Sequence, residues 1–71
     1  MPLALRDLDT GLFFDQGEWT TDPRLAQHFK DKRTVEMKVL EYQIKNAELV
    51  VLNDEFQILG GTFIPLPPIS N

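Results

Sequence analysis

ELVVL, residues 48–52, decides how this chain folds. The run is β-branched and too short for a helix. Asn53-Asp54-Glu55 follows with turn chemistry, so Glu48-Leu49-Val50-Val51-Leu52 reads as a strand. A strand with one face in water alternates apolar and polar residues. Here Leu49, Val50, Val51 and Leu52 are consecutive, so both faces of the sheet are apolar where the strand lies. Phe13-Phe14 breaks the alternation in the same way. A sheet apolar on two sides needs two covers, because a large exposed apolar patch marks an interface.

The chain supplies little material for both. Seventy-one residues make one domain at most, and a domain of this size buries only about 60% of its unfolded surface. There is no Cys and a single His, His28. Disulfides and structural zinc are therefore excluded as staples, and no metal or other cofactor is expected. Stability has to come from apolar packing, for which ten Leu, five Phe, four Val and four Ile are an adequate supply. No apolar run approaches the roughly 20 residues of a membrane span. The start, MPLALRDLD, does not carry a basic region followed by an apolar stretch. A cytoplasmic protein without membrane contact is the expectation.

Working outward from residues 48–52, Leu3 to Leu8 reads as a first strand, and Asp9-Thr10-Gly11 as a turn. Leu12-Phe13-Phe14 is a second strand in a hairpin with the first. Gln16-Gly17 is another turn, and Glu18-Trp19-Thr20 leaves it extended. Asp22-Pro23 carries helix-start chemistry, a capping carboxylate ahead of a proline at the first helical position. It predicts a short helix from about Pro23 to His28. Asp31 opens a second helix, about Lys32 to Lys45, with Val35, Val39, Leu40, Tyr42, Ile44 and Ala47 mostly at three- and four-residue spacing. Glu41 and Lys45 form an i,i+4 pair within it. Beyond residues 48–52, Phe56 to Leu59 reads as a fourth strand that Gly60-Gly61 breaks. The last seven residues contain three Pro and are not expected to form a regular ladder. The expected fold is α+β in the order ββααββ, a small, mainly antiparallel sheet with two helices on one face. Residues 1–61 form the domain and residues 62–71 a proline-rich C-terminal tail. The two helices cover one face. For the other, the reading favours a second chain, or a tail exchanged between chains, over the protein's own Phe63, Ile64, Leu66 and Ile69.

Residues 17–29, GEWTTDPRLAQHF, hold the only Trp and the only His. Trp19 precedes the predicted short helix, whose stripe is Leu25, Ala26 and Phe29, and it is expected to pack there as a staple. Trp19, Asp22, Pro23 and Phe29 thus read as a structural corner that folds the helices over the hairpin. Catalysis through His28 would need an orienting carboxylate and a nucleophile close by, and nothing marks any hydroxyl as activated, so the sequence offers no catalytic set and an enzyme is not expected. The Gly, the W-T-x-D and the A-x-x-F ahead of a longer helix resemble small bacterial and phage-encoded proteins of unknown function. The matching residues are Gly17, Trp19, Thr20, Asp22, Ala26 and Phe29, preceded by R-D-L-D-T-G at Arg6 to Gly11. The resemblance covers about residues 5–52 and implies a compact α+β module without activity.

Three further patterns point elsewhere and fail on their chemistry. Asp9-Thr10-Gly11 matches the D-T-G of aspartic proteases, which need two carboxylates sharing a proton. Leu12 follows where Ala or Ser is usual, and central helices fit that fold badly. Asp7, Asp9, Asp15 and Glu18 fall at EF-hand positions 1, 3, 9 and 12, but Leu12 stands where the sharp turn needs Gly. Pro65-Leu66-Pro67-Pro68 is a P-x-x-P core of the kind aromatic grooves recognise, a match that arises easily by chance.

Charge is uneven. Arg24, Lys30, Lys32, Arg33 and Lys38 face only Asp31 and Glu36 within residues 24–38, a local +3. The remaining two basic and nine acidic residues give −7, for a net −4. A nucleic-acid binder is normally basic as a whole. The sequence therefore predicts a non-catalytic module that binds protein, itself or another, with Phe13, Val51, Phe63 and Ile64 as interface candidates and a homodimer as the favoured form. The alternative is an adaptor that binds an acidic ligand or nucleic acid through the basic patch of residues 24–38.

Overall fold

The computed structural model describes residues 1–66. Five strands and one helix follow in the order β1 (Leu3–Asp7), β2 (Phe13–Asp15), β3 (Glu18–Thr20), α1 (Lys32–Tyr42), β4 (Asn46–Leu52) and β5 (Ile58–Pro65). The strands form one antiparallel sheet in the order β3-β2-β1-β4-β5. The α+β class holds, while the ββααββ order and the second helix do not.

Local chemistry sets both N-terminal turns. Between β1 and β2, Asp7 Oδ1 accepts from Asp9 N at 2.9 Å and Gly11 takes φ +75°. Between β2 and β3, Gln16 and Gly17 both have positive φ, 50° and 92°. Two positive φ values in a two-residue loop match the right-handed twist of the strands they join. That hairpin places Phe14 opposite Trp19 and Phe13 opposite Thr20.

The predicted helix over Pro23–His28 is absent. Asp22 caps Arg24 N at 2.9 Å and its carbonyl accepts Leu25 N at 3.0 Å, which makes one turn. A helical nucleus fixes about six dihedrals for one hydrogen bond, and six residues cannot recover that cost. The sheet offers better partners. Gln27 N donates to Phe14 O at 3.0 Å, and Phe29 exchanges two backbone bonds with Leu3, at 2.8 and 3.3 Å. Because β2 is shorter than β1, Phe29 fills the place beside Leu3 that β2 leaves open.

α1 begins as read. Asp31 is its N-cap, with Oδ1 accepting from Thr34 N and Thr34 Oγ1 at 2.9 and 2.8 Å. It ends three residues earlier than the predicted Lys45, where Gln43 turns left-handed at φ 55°. The Glu41–Lys45 pair therefore has no helix to form on, and Glu41 meets Lys38 at 3.3 Å instead. Only Val35 and Val39 of α1 are buried, while Leu40 and Tyr42 are exposed.

Both sheet faces are apolar, as residues 48–52 require, and the chain covers both itself. On one face Leu5, Phe14, Ala47, Leu49 and Ile64 pack with Phe29, Val35, Val39 and Ile44. On the other, Ala4, Phe13, Val50 and Leu52 are closed over by Ala26 from the 21–28 segment and by Phe56. This corrects the expectation that a second chain or an exchanged tail supplies the second cover. Each Val, Leu or Phe so buried is worth about 1.5–3 kcal/mol. Phe56 sits at φ 61°, a conformation that costs a non-glycine residue roughly 1–2 kcal/mol. Asn53 holds it there, its Oδ1 accepting from Glu55 N and Gln57 N at 2.8 and 2.9 Å.

The fourth strand is longer and later than Phe56–Leu59. Gly60 and Gly61, expected to break it, pair with Val51 and Val50, and Thr62 to Pro65 continue along Leu49 to Asn46. β5 therefore runs through the expected 61/62 boundary between domain and tail, and residues 67–71 of that tail lie outside the described residues. A bulge between Val51 and Leu52 absorbs the change in register.

Candidate interaction surface

The two edges of the sheet differ. β3 has three residues. β5 has eight, and seven of them are exposed. Natural edge strands are kept from pairing with other chains by brevity, charge, proline, a bulge or a cover; in β5 the bulge is confined to its start, where Val51 and Leu52 pair with Gly60 and Ile58, and Leu59 is left over. β5, ILGGTFIP, has no charged residue, and its one proline is its last.

The register places the apolar side chains along this edge. Phe63 lies opposite Glu48, which lies opposite Arg6, which lies opposite Phe13. These four form a row on the face closed by Ala26. Arg6 donates Nε–H to Glu48 Oε1 at 2.9 Å, and its guanidinium carbon stands 5.8 Å from the centre of the Phe13 ring. Arg6 Nη2 contacts the same oxygen. Glu48 leans over Gly61, where a methyl group would stand 2.5 Å from its Oε2. Gly61 thus makes the room in which the Arg6–Glu48 pair lies flat on the sheet. Phe63, 52% exposed, borders that pair, with Ile58 and Leu59 exposed further along. On the other face, α1 and the end of β5 enclose a groove of about 510 Å³. Arg33, Glu36, Met37 and Leu40 form one wall, and Ile64, Pro65 and Leu66 the other.

The four predicted anchors separate. Phe13, 4% exposed, and Ile64, 3% exposed, are interior residues on opposite faces. Val51 is half-buried against the helix-side core. Only Phe63 presents its side chain outward. Ile58 and Leu59 were missed as surface candidates because the glycine pair reads as a break, which hides the edge they belong to.

The predicted basic patch is dispersed and partly neutralised. Arg24 pairs with Asp22 at 3.2 Å, Lys32 with Glu36 at 3.9 Å and Lys38 with Glu41 at 3.3 Å. The Arg24 side-chain hydrogen bond, then its backbone N–H, holds the Asp22 carboxyl below the usual carboxylate range. The Arg24 guanidinium is correspondingly raised, chiefly by the same bond. Lys30 and Arg33 make no ion pair among the described residues.

The expected corner is rearranged. Trp19 stacks edge-on against Phe14 at 5.6 Å instead of lying on a helical stripe, and Tyr42 also meets Phe14 edge-on at 4.9 Å. Asp22 and Pro23 begin a turn, and Phe29 is buried in the helix-side core. His28 stacks on Phe56 at 5.1 Å, with Nε2 3.0 Å from Pro23 O. Among the described residues, no three His, Asp or Glu side chains converge as a metal site, and no helix is long and apolar enough to cross a membrane. Family models, curated proteins and solved structures were compared with the chain, and none matches.

Proposed function

We propose that this protein is a small non-catalytic module that works by binding protein, and that β5 is its contact element. One observation carries the reading: an eight-residue edge strand, uncharged throughout, with Phe63, Ile58 and Leu59 exposed along it. Such an edge is a template for strand addition, in which backbone bonds supply affinity and alternate side chains supply selectivity. The net charge of −4 weighs against the acidic-ligand or nucleic-acid reading, and the exposed pairs of Arg24, Lys32 and Lys38 offset part of the positive field a phosphate would meet.

A photo-crosslinking amino acid in place of Phe63 tests this inside cells, with the same group in place of Glu18 on the opposite edge as control. Discrete protein adducts from position 63, weak or absent from position 18, are expected. Equal labelling from both edges, or none from position 63, refutes the reading.

A further inference from the structure

We propose that the partner of β5 is the β5 strand of a second copy, paired antiparallel about a two-fold axis beside Gly61 or Thr62, so that two sheets join into one of ten strands. The inference rests on β5 being the contact element and adds the identity of what it contacts.

Charge argues for a second copy. The protein carries a net −4, so two copies repel in general. Along β5 that repulsion is removed. The strand itself has no charge, and the nearest carboxylate on the Phe63 face, Glu48, is already paired with Arg6. On the other face the groove beside β5 carries one positive and one negative side chain, Arg33 and Glu36. Each copy therefore brings a neutral seam to the joint.

Geometry agrees. The two-fold axis of an antiparallel pair stands perpendicular to the sheet, so each face of one copy continues as the same face of the other. Residues opposite one another must then share a face, which places the axis at a residue and not between two. With Gly61 on the axis, Phe63 of one strand meets Leu59 of the other, the bulge residue that β4 leaves unpaired, twice. With Thr62 on the axis, each Phe63 lies opposite Gly61 and packs beside the Glu48 side chain that leans over that glycine. In both registers Phe63 is removed from water. The regular run, residues 60–65, spans about 20 Å, long enough for about four ladder hydrogen bonds. Met37 and Leu40, exposed on α1 beside the strand, add apolar surface on the helix side. β3 offers no comparable surface, since three residues span about 10 Å.

The test uses the full purified chain in sedimentation equilibrium from 5 µM to 1 mM, a range chosen on the order of typical self-association constants. The expected result is a concentration-dependent rise from 8.2 kDa toward twice that mass. Amide shift changes on dilution should be centred on residues 58–65. Phe63→Lys and, separately, Leu59→Lys should each weaken association by about tenfold or more, equivalent to about 1.4 kcal/mol. Both positions are exposed, so circular dichroism and melting of the variants should match the parent at concentrations where all are monomeric. A mass of 8.2 kDa throughout, or a dimer that both variants leave unchanged, overturns self-pairing. If adducts from position 63 in cells are then to other proteins, the strand is an interaction element for a different partner. If there are none, the reading of β5 as a contact element fails as well.

Discussion

Truncating Phe14 should unfold much of this protein, and Trp19 should report it. Phe14 is 1% exposed, with the Trp19 ring 5.6 Å and the Tyr42 ring 4.9 Å from its own, both edge-on. Phe to Ala in a core costs about 3–5 kcal/mol. At about 0.05–0.15 kcal/mol per residue, a chain of this length has roughly 4–11 kcal/mol in all. Phe14→Ala therefore removes about a quarter of the stability at least. Phe14→Leu separates the two parts of that loss. It keeps most of the apolar volume and gives up two edge-to-face pairs worth about 0.5–1.5 kcal/mol each. With a urea slope of about 1 kcal/mol/M, the Leu variant should lower the midpoint by about 1–3 M, and the Ala variant by about 3 M or more. Trp19 is the only tryptophan, so its emission follows the transition directly. A double-mutant cycle with Tyr42→Leu should return a coupling of about 0.5–1.5 kcal/mol. A midpoint shift under about 1 M for Phe14→Ala, or no coupling to Tyr42, refutes the view that these three rings fasten the hairpin to the end of α1.

Neighbouring glycines should respond in opposite directions. Gly60→Ala meets nothing within 4 Å and should stabilise by about 0.4–1 kcal/mol through the unfolded chain. Gly61→Ala displaces Glu48 from Arg6 and should destabilise by about 1 kcal/mol; chemical denaturation of the pair decides it, and equal signs would count against the packing described. Gly17→Ala should cost roughly 1–2 kcal/mol, because φ is 92° while the nearest side-chain atom, Tyr42 Oη, stands at an ordinary 3.5 Å. Asp31→Ala should lower the melting temperature at pH 7. The Thr34 backbone N–H, then its hydroxyl, holds the Asp31 carboxyl below the usual carboxylate range. A depressed value means that this stability is complete above the unfolded pKa, about 4, and is lost as pH falls through the folded value. The gap between parent and variant should be constant above about pH 5 and close below pH 4; a gap that widens in acid would contradict the assignment.

Residues close in sequence made much of this fold legible. Leu49 to Leu52 and Phe13-Phe14 require a sheet apolar on both sides, and the sheet is. Gln16-Gly17 and Asp9-Thr10-Gly11 make the turns read from them, and Asp31 caps the helix it was expected to open. In each case the partner lies within a few residues, so composition carries the information. What failed depends on distant partners. Asp22-Pro23 has the chemistry of a helix start, but open backbone groups on Phe14 and Leu3 draw residues 27 and 29 onto the sheet. Gly60-Gly61 looks like a break, but in the sheet Glu48 from the neighbouring strand fills the space a side chain would take. Of the four predicted anchors, Phe63 alone faces outward, because inward and outward are set by a register that runs through all five strands. Local residue chemistry was enough to show that two apolar faces needed covering and where the chain would turn. Long-range packing set which segments cover them and which edge the described residues leave open, since backbone hydrogen bonds and burial act between residues that sequence spacing does not bring together.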